Sequence, residues 1–287
     1  MLARSRARHK TLNRGILFAI LLVGTVVAIL PFLFMLSNSL KTYSETVTRV
    51  NPIPFSPRFW PKILQWQNYS EAWLAGGGLG RNFINSIVIG SVTLTGLLFT
   101  TLLAAYAFSK LDFVAKDLIF TALLMTLMIP ETVLLIPNFI MISRLRWVDK
   151  LAALTIPFMA SAFFIFLVRQ FFNQIPNALV ESARMDGATH SYILAKIFLP
   201  LTRAPVFTMS FLGFSGAWNA LQWPLVVTQT PRWRPISVGL TKFISEAGPE
   251  THLRMAGAVI ALLPVAIVYI VAQRQITEAI SRTGMKG

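Results

Sequence analysis

Apolar runs long enough to cross a bilayer recur along this chain, and between two of them lies a polar stretch, residues 177–200, NALVESARMDGATHSYILAKIFLP. Membrane-crossing runs of this kind are helical, because a helix satisfies every backbone N–H and C=O within one segment. The polar stretch is thereby confined to a membrane face. Pro176 and Asn177 predict a helix start, since proline tolerates the first turn and asparagine caps free N–H groups. Leu179, Ala183 and Met185/Asp186 fall three or four apart, which predicts one apolar stripe beside Glu181 and Arg184. Gly187 supplies the left-handed conformation with which a helix ends. Thr189 or Ser191 then caps a second short helix carrying Tyr192, Ile193, Ile197 and Phe198, and Pro200 closes it. The pattern is a helix-turn-helix on the membrane surface.

Composition agrees with that placement. Of 287 residues, 55% are hydrophobic and 13% charged, too apolar for a soluble domain of this length, so the chain is read as an integral membrane protein. The net charge of +15 would suggest nucleic acid in a soluble protein. Here the basic residues sit in loops and tails, where anionic headgroups and the orientation of insertion account for them. No basic helix is interleaved with aromatics, so lipid is the expected partner and nucleic acid is not. With no cysteine, disulfides and thiolate chemistry are excluded.

In chain order, Arg4, Arg6, Arg8, Lys10 and Arg14 precede an apolar run over residues 15–36. That run exceeds the ~7–15 residues of a signal-peptide core, so it reads as an uncleaved first span with its basic tail in the cytoplasm. Residues 38–81 are polar, proline-rich and aromatic, as in an external loop along the interface, and a joint of Gly76, Gly77, Gly78 and Gly80 ends them. A second span covers 82–108. A third begins near Asp117 and is predicted to kink at Pro130 and Pro137. Spans four, five and six cover 151–172, 204–227 and 255–272.

Within the apolar runs a few polar groups are candidates for a solute path. Glu131 lies between the two prolines, and a carboxylate at membrane depth faces protein or water. It lines the path or is a structural carboxylate, and both readings stay open. Trp218 and Asn219 are candidates to touch solute, although an interfacial ring with an interhelical hydrogen bond is the commoner use. Gly213, Gly216 and Ala217 allow close helix approach. His9, His190 and His252 are too scattered for a metal site, and no hydrolytic motif occurs, so catalysis is not expected on this chain.

The spacing Glu181-Ser182-Ala183, three residues, Gly187, nine residues, Ile197-Phe198-Leu199-Pro200 resembles the EAA loop of permease subunits in bacterial ABC importers. Ser182 stands where that pattern has alanine, a small residue compatible with close packing. Weaker features narrow the resemblance to the smaller permease of maltose and multiple-sugar importers. They are Asn85-Ser86, the repeated Ile129-Pro130 and Ile136-Pro137, Ala217-Trp218-Asn219, and the closing Thr283-Gly284-Met285-Lys286-Gly287.

This resemblance implies an all-α membrane protein of six transmembrane helices with a cytoplasmic coupling loop between helices four and five. The implied layout is a basic tail (1–14), a permease domain (15–273) and a C-terminal tail (274–287). It further implies a multi-pass protein of the bacterial inner membrane with both termini cytoplasmic. The implied partners are a second permease subunit in a heterodimer, two ATP-binding subunits that hold the ATP and Mg, and an extracytoplasmic solute-binding protein. No cofactor is expected on this chain. Glu181, Ser182, Ala183, Asp186, Gly187, Ala188, Ile197, Leu199 and Pro200 would couple to the ATPase, and Gly284, Lys286 and Gly287 would reach it from the tail. The implied solute is a sugar or, in the same class, a glycerol-phosphate compound. An ion-coupled carrier is the alternative of a different kind.

Overall fold

The computed structural model describes residues 2–47, 59–74, 78–245 and 250–284, and the regular elements among them are all helical. They are α1 (Leu2–Ser39), α2 (Tyr43–Val47), α3 (Gln67–Leu74), α4 (Leu79–Lys110), α5 (Lys116–Met125), α6 (Leu135–Arg144), α7 (Leu151–Thr155) and α8 (Ala162–Asn173). There follow α9 (Asn177–Met185), α10 (His190–Ile193), α11 (Leu199–Leu201), α12 (Arg203–Asn219), α13 (Gln222–Val227), α14 (Ile236–Ser245) and α15 (Thr251–Gly284). They fall into two compact units, residues 1–79 with 240–261, and residues 80–239 with 262–287.

In the first unit, α1 leaves its apolar length exposed and is anchored at its C-terminal end. The buried Asn68 amide donates to the carbonyls of Ser39 and Lys41, at 2.8 Å each, and so satisfies groups that a helix end leaves free. Helix α2 opens with a reciprocal cap. The Thr42 hydroxyl accepts from the Glu45 N–H at 3.4 Å, and the Glu45 carboxylate accepts from the Thr42 N–H at 3.1 Å. The Lys62 N–H also donates to that carboxylate, at 3.1 Å.

In the second unit, α4 is continuous for 32 residues. Near its start the Asn85 amide donates to the carbonyls of Arg232 and Arg234, and the Ser86 hydroxyl accepts the Ile236 N–H at 2.7 Å. These bonds place the N-terminus of α14 against α4. Further along, a Cβ on Gly213 would lie 2.7 Å from Leu97 Cδ2, so a missing side chain lets α12 approach α4 there. Nothing lies near a Cβ on Gly216, and close approach uses only the first glycine of the pair.

Three helical stretches are long and apolar enough to cross a membrane, Gly15–Ser39, Leu79–Lys110 and Thr251–Val271. Two bent pairs bring the number to five, Leu151–Phe158 with Ala162–Asn173, and His190–Leu201 with Arg203–Asn219. Six spans were expected, the third of them kinked, and three are broken; the fourth bends by 40° between Phe158 and Ala162. The third is interrupted rather than kinked, with α5 and α6 separated by extended and turn residues. Proline disfavours helical conformation in the residue before it, and Ile129, preceding Pro130, is extended at φ −87° and ψ 118°. Pro137 lies in the first turn of α6, where its missing N–H costs nothing. The fifth breaks after Asn219, where Ala220 is extended and its freed carbonyl accepts from the Ser237 hydroxyl at 2.6 Å.

Candidate functional site

The polar stretch folds as a hairpin, α9 followed by α10 and α11. Pro176 is the residue before α9, but no side chain caps the helix start. Asn177 is engaged elsewhere: its Oδ1 accepts from Lys110 Nζ at 2.7 Å, and the same ammonium donates to the Ile175 carbonyl at 2.6 Å. Helix α9 then ends as its sequence dictates. Gly187 is left-handed at φ 82°, its N–H donates to the Arg184 carbonyl, and the Ala188 N–H donates to the Ala183 carbonyl at 2.9 Å. That pair of bonds is the Schellman motif, with Ala183 and Ala188 forming its apolar contact positions. A Cβ on Gly187 would meet nothing within 4 Å, so glycine is required there by backbone conformation and not by space.

The two faces of α9 are not those the three-four spacing suggested. Val180, Ala183 and Ala188 pack against a buried cluster that includes Val168, Phe172, Ile193, Phe198 and Met209. Leu179 and Met185 are 43% and 84% exposed, so the stripe they were expected to share with Ala183 does not turn inward. The Schellman turn fixes the rotation of α9 through Ala183 and Ala188, and that rotation leaves Leu179, Ser182, Met185 and Asp186 outside. Glu181 is also exposed, and neither its carboxylate nor that of Asp186 has a hydrogen bond or ion pair among the described residues. Asp186 does not cap the following helix. Thr189 does, its hydroxyl accepting from the Tyr192 N–H at 3.3 Å.

The second arm runs from His190 to Leu201 and contains a π-helical turn over Leu194–Phe198. The Leu199 N–H reaches back five residues to the Leu194 carbonyl. Pro200 accounts for the widening: it brings no N–H, and its ring displaces the carbonyl four residues earlier. The buried Phe198 is held edge-on by Tyr106 and Phe172, with ring centroids 5.1 and 5.0 Å away. Ile197 packs against the same cluster, Leu199 is half-buried and Pro200 is exposed. At Thr202 the chain leaves helical geometry, and α12 departs at 88° to the arm. The hairpin arm thus lies across the axis of the next apolar helix.

The other candidates sit apart from the hairpin. Trp218 is 2% exposed, its ring stacked on Phe214 and edge-on to Phe83, so it belongs to the packed interior. Asn219 is exposed and donates to the Ser215 carbonyl at 2.9 Å. Glu131 is exposed in the turns between α5 and α6, where its carbonyl accepts from the Leu134 N–H. Gly284 ends α15, while Lys286 and Gly287 lie outside the described residues. Tyr106 and Lys110 were missed by sequence reasoning. Their only signal was a polar pair one helical turn apart at the end of an apolar run.

Bilayer-length apolar helices joined by polar crossovers define a multi-pass α-helical membrane protein. Residues 96–282 match the family described as binding-protein-dependent transport system inner membrane component, and the chain belongs to that family. It is therefore a membrane permease component of such a transport system, and the ion-coupled alternative falls away.

Among its relatives is the arabinooligosaccharides transport system permease protein AraQ of Bacillus subtilis, 29% identical over 90% of each chain. The sn-glycerol-3-phosphate transport system permease protein UgpE of Yersinia enterocolitica is 32% identical, over 88% of this chain and 92% of its own. A solved bacterial ABC transporter involved in the import of the acidic polysaccharide alginate contains a chain superposing with a TM-score of 0.78. That chain is 25% identical, and the match covers 91% of this chain and 96% of the other.

Proposed function

We propose that this permease forms half of the translocation path of an ATP-driven importer and receives the motor's stroke through the hairpin 177–201. The carrying observation is the division of labour on α9. Its inward face is consumed by the core and the Schellman turn, whereas Glu181, Ser182, Met185 and Asp186 stand exposed on a rigid support. Carboxylates left unpaired at a helix C-terminal end are disfavoured by the helix dipole, which suits them to basic or N–H groups of a partner. The partner we infer is a separate ATPase subunit, which binds the ATP and Mg while this chain binds neither. The arm at right angles to α12 suits a lever that passes rigid-body motion into the membrane.

In this reading six crossings, counting the interrupted third and the bent pairs, place both termini and the hairpin on the cytoplasmic side of the inner membrane. A second permease, two ATPase subunits and an extracytoplasmic binding protein complete the assembly. The names of the relatives support a sugar, oligosaccharide or sugar-phosphate-like solute. Asn219, exposed at the break between α12 and α13, is the residue of this subunit best placed to meet it, since irregular backbone at membrane depth is tolerated beside protein or water.

The chain contains no cysteine, so Met185→Cys gives a unique probe. In the assembled transporter it crosslinks to the ATPase and resists membrane-impermeant thiol reagents added outside. Labelling from the outside, or no crosslink in any nucleotide state, overturns the coupling role. Titrating the accompanying binding protein with arabino-oligosaccharides and glycerol phosphate identifies the solute class.

A further inference from the structure

We propose that Tyr106 and Lys110 are positioning residues of the transport cycle, a two-point latch through which α4 moves as one body with the coupling hairpin. This rests on the coupling role proposed above. Motion of the hairpin passes along the chain directly only to α8 before it and α12 after it. Helix α4 is remote in sequence, and specific side-chain bonds join it to both arms. Lys110 Nζ donates to the Ile175 carbonyl at 2.6 Å and to Asn177 Oδ1 at 2.7 Å, which holds the start of the first arm. One helical turn earlier, the Tyr106 hydroxyl shares a 2.9 Å hydrogen bond with His190 Nδ1 at the start of the second arm. The Tyr106 ring also meets Phe198 edge-on, and the Lys110 ammonium lies 5.9 Å from the centroid of the Phe198 ring.

The far end of the same helix is fixed with equal specificity. Asn85 binds two carbonyls of the 232–234 segment, and Ser86 accepts the first N–H of α14. The unbroken helix between Ser86 and Lys110 is about 36 Å long at 1.5 Å per residue. Helix α4 is therefore a rod with hydrogen-bonded fittings at both ends, one on the hairpin and one on the segment that enters α14. A stroke on the hairpin shifts that distant segment without passing through the broken helices α12 and α13.

The test uses the whole transporter in proteoliposomes, with its binding protein, and reads ATP hydrolysed per solute imported. A purely structural role for the latch would lower assembled transporter, hydrolysis and uptake together and leave this ratio unchanged. The latch instead raises the ratio at least about fivefold in Tyr106→Phe/Lys110→Met, consistent with the worth of a charge-assisted hydrogen bond. Lys110→Arg alone restores most of the coupling, and Asn85→Leu at the other end raises the ratio in the same direction. An unchanged ratio in the double variant overturns the latch, as does a parallel fall of hydrolysis and uptake. The Met185→Cys crosslink is read alongside: a crosslink with an unchanged ratio removes the latch alone, whereas its absence in the otherwise wild-type transporter removes the coupling role and the latch with it.

Discussion

Two polar turns in the second unit use their carboxylates in opposite ways. In the turn over residues 145–150, Asp149 spends its carboxylate inside the fold, accepting from the Gln229 N–H at 2.7 Å and the Thr230 N–H at 2.9 Å. It does so from a left-handed backbone, φ 61°, and Arg146 beside it is also left-handed at φ 55°. In the hairpin, the left-handed position is occupied by Gly187, and the carboxylate of the neighbouring Asp186 has no partner among the described residues. The first turn accepts local strain to tie two loops together. The second is relaxed, internally satisfied by backbone bonds, and presents its charge outward. A side chain consumed by its own fold holds structure, and one left over on a well-supported turn is available to a partner.

The largest expected effect probes the support of the second turn. Phe198→Ala removes a buried ring flanked by two others and is expected to destabilise the permease by about 3–5 kcal/mol, read as a fall in the thermal midpoint in detergent. Asp149→Ala removes a charged acceptor from two N–H groups in an exposed turn, where water competes, and costs about 1–2 kcal/mol. The ATPase that copurifies with this variant is unchanged. Gly187→Leu forces a side chain into the left-handed region at a cost of about 1–2 kcal/mol, and here attachment of the ATPase and uptake fall while membrane insertion is retained. Glu181→Gln with Asp186→Asn changes stability by less than about 0.5 kcal/mol, yet weakens ATPase retention on an affinity column. A stability loss in this pair, or an attachment loss in Asp149→Ala, would reverse the contrast between the turns.

The smallest effect extends the comparison to the first unit. Burial pushes the Glu45 carboxyl up, but hydrogen bonds from the Thr42 and Lys62 N–H groups outweigh it and hold the carboxyl below its usual range. A depressed folded value means that Glu45 stabilises α2 above the unfolded pKa and ceases to as pH falls through the folded one. Glu45→Gln should flatten acid-side protection of the α2 amides in hydrogen exchange, and an unchanged profile would show that the carboxylate is idle.

Much of the hairpin was legible without coordinates, because its determinants are local. Gly187 ends α9 and Thr189 starts α10, while Pro200 widens the second arm without closing it, and each acts on backbone groups within about five residues of itself. The apolar runs likewise identify the membrane-crossing class, since their length and composition alone decide whether they suit a bilayer. The interruptions were less legible. Pro130 marks a break through the conformation it denies Ile129, but proline by itself does not distinguish a kink from a gap, and no proline stands at Ala220.

The sequence by itself therefore determined the class of protein and the chemistry of the hairpin's turns. Tertiary structure decided which way the parts face. It turned Val180 inward and left Met185 outside, packed Trp218 between Phe83 and Phe214, and drew Asn177 away from helix capping to Lys110. The physical reason is range. A turn or cap is satisfied by its neighbours in the chain, whereas a face or a long-range hydrogen bond takes its meaning from groups that only folding brings near.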